Sequence, residues 1–224
     1  MTARPHAVAF DVLETLLNLE PLRARLERIG QPAHLLQPWF MRFQRDSMAL
    51  TLSGDFGTFE SVARQALRTD TEHTATENDI DYVLEGFGHL PAYPDAEPAL
   101  RRLSEAGLRV GCLTVGSVEN TARFLEQAGL ARYVDHVVTA EQAGTWKPAP
   151  SIYRVAANEL GTSPDNMALV AVHAWDCHGA KRAGCLAGWC ERLEGRYGDV
   201  FTAPDVSGSD LVEVAEALVR LSSD

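Results

Sequence analysis

The sequence predicts an α/β protein: a doubly wound parallel sheet with a block of helices inserted after its first strand. Two observations carry this. Five short apolar runs alternate with stretches of helical periodicity, as in chains built from βαβ units. The segment 18–90 breaks that rhythm, having helical patterns and no convincing strand. The 224-residue length suits one such domain carrying an insertion.

The five apolar runs are Ala7–Phe10, Arg109–Thr114, His136–Thr139, 167–172 and 187–190. Between them, residues 95–106, 118–128 and 148–160 place apolar side chains three and four apart. Val118, Phe124, Leu125 and Ala128 show the pattern, and Gly107 and Gly129 stand where C-terminal caps are expected. A last helix, 210–221, opens on the capping pair Ser209-Asp210. The expected architecture is therefore a Rossmann-like core, residues 1–17 and 91–224, with a helical cap domain formed by 18–90. Within the cap the helical stretches are 21–29, 36–50, 58–67 and 77–87, with hinges near Leu17 and near Pro91-Ala92-Tyr93-Pro94.

Composition narrows the function. Apolar content of 46% and charged content of 23% are ordinary for a globular protein. No apolar stretch approaches the roughly 20 residues that cross a bilayer, and the first apolar run stops at Asp11, unlike a signal peptide. A cytoplasmic protein with no membrane partner is expected. The net charge of −11 argues against nucleic acid, and an anionic substrate would depend on cations inside the pocket. Cys112, Cys177, Cys185 and Cys190 form no CxxC pair, so neither a disulfide framework nor a zinc site is indicated.

Four segments carry chemistry. Asp11 sits at the C-terminal tip of the first strand, with the Thr15 hydroxyl four residues on. Parallel strands deliver catalytic groups at that end, although Asp is also a preferred helix cap. The second strand ends in Thr114-Val115-Gly116-Ser117, a turn whose backbone N–H groups suit an anion. Lys147 lies between Trp146 and Pro148 at a helix entry rather than on a solvated helical face. After the fourth strand, His173-Ala174-Trp175-Asp176 presents two groups that are either a metal-ligand pair or a hydrogen-bonded pair.

Taken in order, Phe10-Asp11-Val12-Leu13-Glu14-Thr15-Leu16, Leu113-Thr114-Val115-Gly116-Ser117, Trp146-Lys147-Pro148-Ala149-Pro150 with Ile152 and Tyr153, and His173-Ala174-Trp175-Asp176 with Gly179-Ala180 resemble the four motifs of the haloacid dehalogenase superfamily. The similarity is to its type II, L-2-haloacid dehalogenase branch. The resemblance implies an aspartate nucleophile, Asp11, that attacks C2 of a small haloalkanoate and is freed by hydrolysis of the aspartyl ester. It gives catalytic roles to Thr15, Thr114, Lys147 and Asp176. Substrate contacts fall to Leu13, Phe40, Arg42, Val115, Gly116, Tyr153, His173 and Trp175, and Asp176, or His173 with it, would orient or activate the hydrolytic water. It also implies no cofactor and a homodimer.

Several positions depart from that branch. Phe40 stands where the branch has a halide-holding Arg, with Arg42 or Arg45 as the nearby substitutes. Val115 replaces an Asn, and Ala171 and His173 replace a Ser and an Asn. Superfamily phosphatases carry a general acid two residues after the nucleophile. Leu13 has no proton to give, which removes a contribution of about 10²–10⁴-fold and favours a leaving group that needs none. Two alternatives stay open: a phosphatase with Mg²⁺ on Asp11, the Leu13 carbonyl and Asp176, and a binding protein on the same fold with diminished catalysis.

Overall fold

The computed structural model describes residues 3–221. Its centre is a six-stranded sheet of order β3-β2-β1-β4-β5-β6, every neighbouring pair parallel. The strands are β1 (Ala7–Phe10), β2 (Arg109–Thr114), β3 (His136–Thr139), β4 (Met167–Ala171), β5 (Leu186–Cys190) and β6 (Val206–Gly208). All four β1 residues are fully buried. Since successive side chains point to opposite faces, both faces of the sheet are covered, as all-parallel sheets require.

Strand β1 lies between β2 and β4, with Phe10 opposite Cys112 on one side and Val170 on the other. The chain first builds outward through β2 and β3, then returns across β1 to lay down β4. The switch point of the winding therefore falls between the carboxyl ends of β1 and β4, where doubly wound folds hold ligands. β6, a strand absent from the sequence expectation, has the sequence Val-Ser-Gly, too short and polar to register as an apolar run.

Between β1 and β2 come α1 (Leu22–Arg28), α2 (Leu36–Ser53), α3 (Phe59–Asp70) and α4 (Glu77–Glu85). Thr58 caps α3 through its side chain, and Thr76 and Asp79 form a reciprocal capping box on α4. α2 runs three residues past the expected 36–50 and ends at Gly54, whose φ of 79° suits a left-handed C-terminal cap. Trp39, Phe43, Phe59 and Phe87 form an edge-to-face aromatic chain inside this block. Trp146, from the loop beyond β3, joins it at 5.6 Å from Phe43 and stacks on Phe56 at 5.4 Å. The segments that enter and leave the block run side by side: Asn18 N donates to the Pro91 carbonyl and Tyr93 N to the Leu16 carbonyl. Arg192 secures that crossing by donating to the Thr15 carbonyl and Asp95 while stacking on Tyr93 at 3.9 Å.

The remaining helices are α5 (Ala96–Glu105), α6 (Val118–Gln127), the single turn α7 (Ala140–Ala143), α8 (Pro150–Glu159), α9 (Ala174–Ala183) and α10 (Leu211–Arg220). α5 packs on α10, and α8 on α9. All four cysteines are buried and unpaired, and burial pushes the Cys112 thiol up to about 12.

The α8–α9 contact depends on one glycine. A Cβ at Gly179 would lie 2.5 Å from the Tyr153 hydroxyl and 2.6 Å from the Pro148 ring. Gly179→Ala is expected to cost about 1–3 kcal/mol through overpacking, read as a lowered urea midpoint with unchanged slope. An unchanged midpoint would show that this contact relaxes freely.

Candidate active site

Asp11 follows β1 directly, and its N–H donates to the Val170 carbonyl of β4, extending the ladder to the carboxylate-bearing residue itself. The next residues turn sharply, with Leu16 N and Leu17 N both donating to the Val12 carbonyl. This turn brings Thr15 back beneath Asp11. The Thr15 hydroxyl donates to Asp11 Oδ2 at 2.6 Å and accepts from Val172 N at 3.2 Å, pinning the turn to the end of β4.

Lys147 is 2% exposed and reaches inward from the loop before α8. Its Nζ donates to Asp11 Oδ1 at 2.9 Å and to Asp176 Oδ2 at 2.7 Å. Asp176 lies in the first turn of α9, where the helix dipole favours a carboxylate. Its other oxygen, Oδ1, accepts from the Tyr153 hydroxyl at 2.6 Å. A buried ammonium thus bridges two buried carboxylates, and all four carboxylate oxygens have a donor.

Electrostatics follow from this packing. Burial works to raise the Asp11 pKa, but Lys147 and His173 overcome it and hold the carboxyl well below its usual range. Burial opposes the charge on Lys147, yet Asp11 and Asp176 keep its pKa above the ordinary lysine value. Burial pushes the Asp176 carboxyl up, against the attraction of Lys147. At neutral pH Asp11 is an anion and Lys147 a cation.

His173, the residue before α9, sets its Nε2 2.8 Å from Glu14 Oε2. Its Nδ1 lies 3.7 Å from Asp11 Oδ2, beyond hydrogen-bond range. Burial disfavours the imidazolium, but contacts with Asp11 and Glu14 outweigh it and raise the pKa to about 10.

Over Asp11 lies a small, narrow cleft. Leu13, Phe40, Val115, His173 and Trp175 line it beside Asp11 and Lys147, together with Gln44, Ser47 and Met48 of α2. Other expected residues sit elsewhere. Arg42 pairs with Asp70 of α3 at 2.6 Å and is absent from the lining, and Arg45 pairs with Asp46. The helical period explains this. Phe40, Phe43, Gln44 and Ser47 share the face turned to the cleft, while Arg42, two residues from Phe40, points away. Tyr153 does not wall the cleft but supports Asp176 from within the core. The Thr114 hydroxyl accepts from Gly116 N at 3.0 Å, and both residues line an adjoining cleft rather than the one over Asp11. Glu14, unforeseen in the sequence, is the addition.

Two outcomes follow for stability. Lys147→Met leaves two buried carboxylates facing each other and is expected to cost about 3–5 kcal/mol, measured by urea denaturation at neutral pH. A loss under ~1 kcal/mol would mean that the carboxylates are solvated or protonated. For His173 the folded pKa of about 10 exceeds the ordinary 6.5, so its protonation stabilises the fold fully below pH 6.5. That contribution is lost as pH rises through about 10, and His173→Gln should lack this pH dependence.

Residues 5–184 match the family model of haloacid dehalogenase-like hydrolases. The (S)-2-haloacid dehalogenase 4A of Burkholderia cepacia is 31% identical over 183 residues, covering 80% of this chain and 79% of that protein. A crystal structure of a dehalogenase with an intermediate complex superposes with a TM-score of 0.88 at 26% identity, covering 98% of this chain and all of that one. The L-2-haloacid dehalogenase of Xanthobacter autotrophicus with chloropropionic acid covalently bound shares the fold, with a TM-score of 0.87 at 22% identity over 97% of this chain and all of that one. With a matched segment that runs from before the strand bearing Asp11 to the end of α9, the chain belongs to the haloacid dehalogenase-like hydrolase family.

Proposed function

We propose that the protein is a metal-independent hydrolase of the (S)-2-haloacid dehalogenase type that releases halide from small haloalkanoates. The observation that carries this is Asp11 itself: an ionised carboxylate, fixed by Lys147 and Thr15, at the floor of a small cleft whose walls are largely apolar. Asp11 attacks C2 from the side opposite the halogen, inverting the carbon and expelling halide. Water then cleaves the resulting ester at its carbonyl carbon. Leu13 supplies no acid, and a departing halide needs none. Relatives named as (S)-2-haloacid dehalogenases, in Burkholderia cepacia and elsewhere, support this substrate class.

In this reading residues 18–90 act as a cap over a core of 1–17 and 91–224, since Phe40, Gln44, Ser47 and Met48 supply one wall of the cleft. Thr15 and Lys147 position the nucleophile, and Asp176 holds Lys147. The donor set fits Mg²⁺ poorly, because every oxygen of Asp11 and Asp176 already accepts a hydrogen bond and the Lys147 ammonium sits between them. The homodimer implied by the sequence resemblance is part of this proposal.

The test is halide release from a panel of 2-halo acids, from fluoroacetate to L-2-bromopropionate, in excess chelator. Release by the wild type and none by a folded Asp11→Asn variant is expected. Turnover of phosphate esters that strictly requires Mg²⁺, without halide release, would overturn the assignment.

A further inference from the structure

Asp11 and Asp176 belong to two separate turns, one after β1 and one opening α9, and neither turn is secured by local contacts alone. In the first, the Glu14 backbone has φ of 67°, a left-handed conformation that residues with a side chain rarely adopt. Such strain persists only where the surroundings impose it. In the second, His173 precedes α9 without offering the helix a side-chain cap. Partners for both turns come from a third place, the loop that leaves β5.

Arg192, two residues past the end of β5, donates from Nη2 to the Thr15 carbonyl at 2.6 Å. Thr15 is the residue whose hydroxyl holds Asp11 Oδ2. Fixing its carbonyl from outside fixes the backbone from which that hydroxyl projects. The guanidinium is itself held on two further sides. Its Nη1 donates to Asp95 Oδ2 at 2.6 Å, and its centre lies 3.9 Å over the Tyr93 ring. A planar fork held in this way is a stiff donor. Asp95 Oδ2 also accepts from Leu211 N at 2.9 Å, which ties the group to the start of α10. Two residues further along the same loop, Glu194 accepts from Ala174 N at 3.0 Å. It supplies the cap that α9 lacks and sets a carboxylate where the helix dipole favours one. Neither Arg192 nor Glu194 lines the cleft over Asp11.

We propose that the loop after β5 is a clamp that sets the two catalytic turns against each other, with Arg192 positioning Thr15 and hence Asp11, and Glu194 positioning α9 and hence Asp176; the proposal rests on Asp11 being the nucleophile. Neither residue touches substrate. Their effect falls on the attack, in which an Asp11 oxygen must meet C2 in line with the departing halide. A loosened carboxylate spends less time in that geometry and lowers the rate. Substrate binding belongs to the cleft walls and is left as it was. Because Arg192 also grips Tyr93 and Asp95, where the chain leaves the helical block, the clamp links the orientation of the nucleophile to the seating of that block.

The experiment compares wild type, Arg192→Ala, Arg192→Lys, Glu194→Ala and Glu194→Gln on L-2-chloropropionate, reading kcat and KM from halide release and urea midpoints in parallel. Arg192→Ala should lower kcat by about 10–10²-fold with KM nearly unchanged. Guanidinium ion at millimolar concentration should restore part of that kcat and leave the wild type unaffected. Glu194→Ala should lower kcat several-fold, and Glu194→Gln, which still offers an oxygen to Ala174 N, should restore most of it. Should Arg192→Ala fail to fold, Arg192→Lys, which keeps the charge but not the fork, is read by the same split between kcat and KM. Folded Arg192 variants with lowered urea midpoints and wild-type kcat would make the loop a strut and overturn the assignment, leaving Asp11 as nucleophile. A change confined to KM would overturn it as well. No halide release from the wild type overturns the dehalogenase reading and this assignment with it.

Discussion

The site depends on one ammonium group. Lys147 Nζ sits between the carboxylates of Asp11 and Asp176, all three charges buried. Like charges brought this close in a low-dielectric interior would raise one another's pKa until one was protonated. The bridging cation reverses that for Asp11, which remains ionised and therefore nucleophilic. Tyr153 and the α9 N-terminus stabilise Asp176, so that it can hold Lys147 while Lys147 holds Asp11. The chain is directional: Tyr153 to Asp176 to Lys147 to Asp11, from the core outward to the cleft.

The fold exists in a form that makes this chain of contacts short. Placing β4 beside β1 after the winding reverses brings the turns after both strands to the same crevice. Residues 136 positions apart in sequence then meet at 2.9 Å. The loop that delivers Lys147 is anchored by its neighbour Trp146, which packs into the aromatic cluster of the helical block and donates its backbone N–H to Thr51. Positioning of Lys147 and seating of the helical block are therefore one packing event. Burial of Asp11 and Lys147 under the α2 wall lowers the local dielectric, which strengthens their interaction further.

Much of this was legible in the sequence, for identifiable reasons. β1, β2 and β3 are continuous apolar runs bounded by polar residues, and their limits coincide with the expectation. Asp11, Thr15, Lys147 and Asp176 stand at strand ends or helix entries, so chain order alone suggested their convergence. Side-chain facing was less accessible. Arg42 resembles a substitute for a missing cation, yet its direction on α2 is set by which face turns to the cleft and which to Asp70 of α3, a tertiary fact. The expected substrate contact of Tyr153 gives way to support of Asp176 because the sequence does not reveal how closely Gly179 lets α9 approach α8. Glu14 escaped notice because its role depends on a positive φ, which a glutamate rarely adopts and no neighbouring glycine announced.

The most direct test of a nucleophilic Asp11 is a single turnover in H₂¹⁸O with enzyme in excess over a 2-halo acid. Attack by Asp11 followed by hydrolysis at the carbonyl carbon predicts ¹⁸O in the Asp11 carboxylate and an unlabelled hydroxy acid. Heavy oxygen in the hydroxy acid with none in Asp11 would mean that water attacks the substrate directly, and would contradict this account.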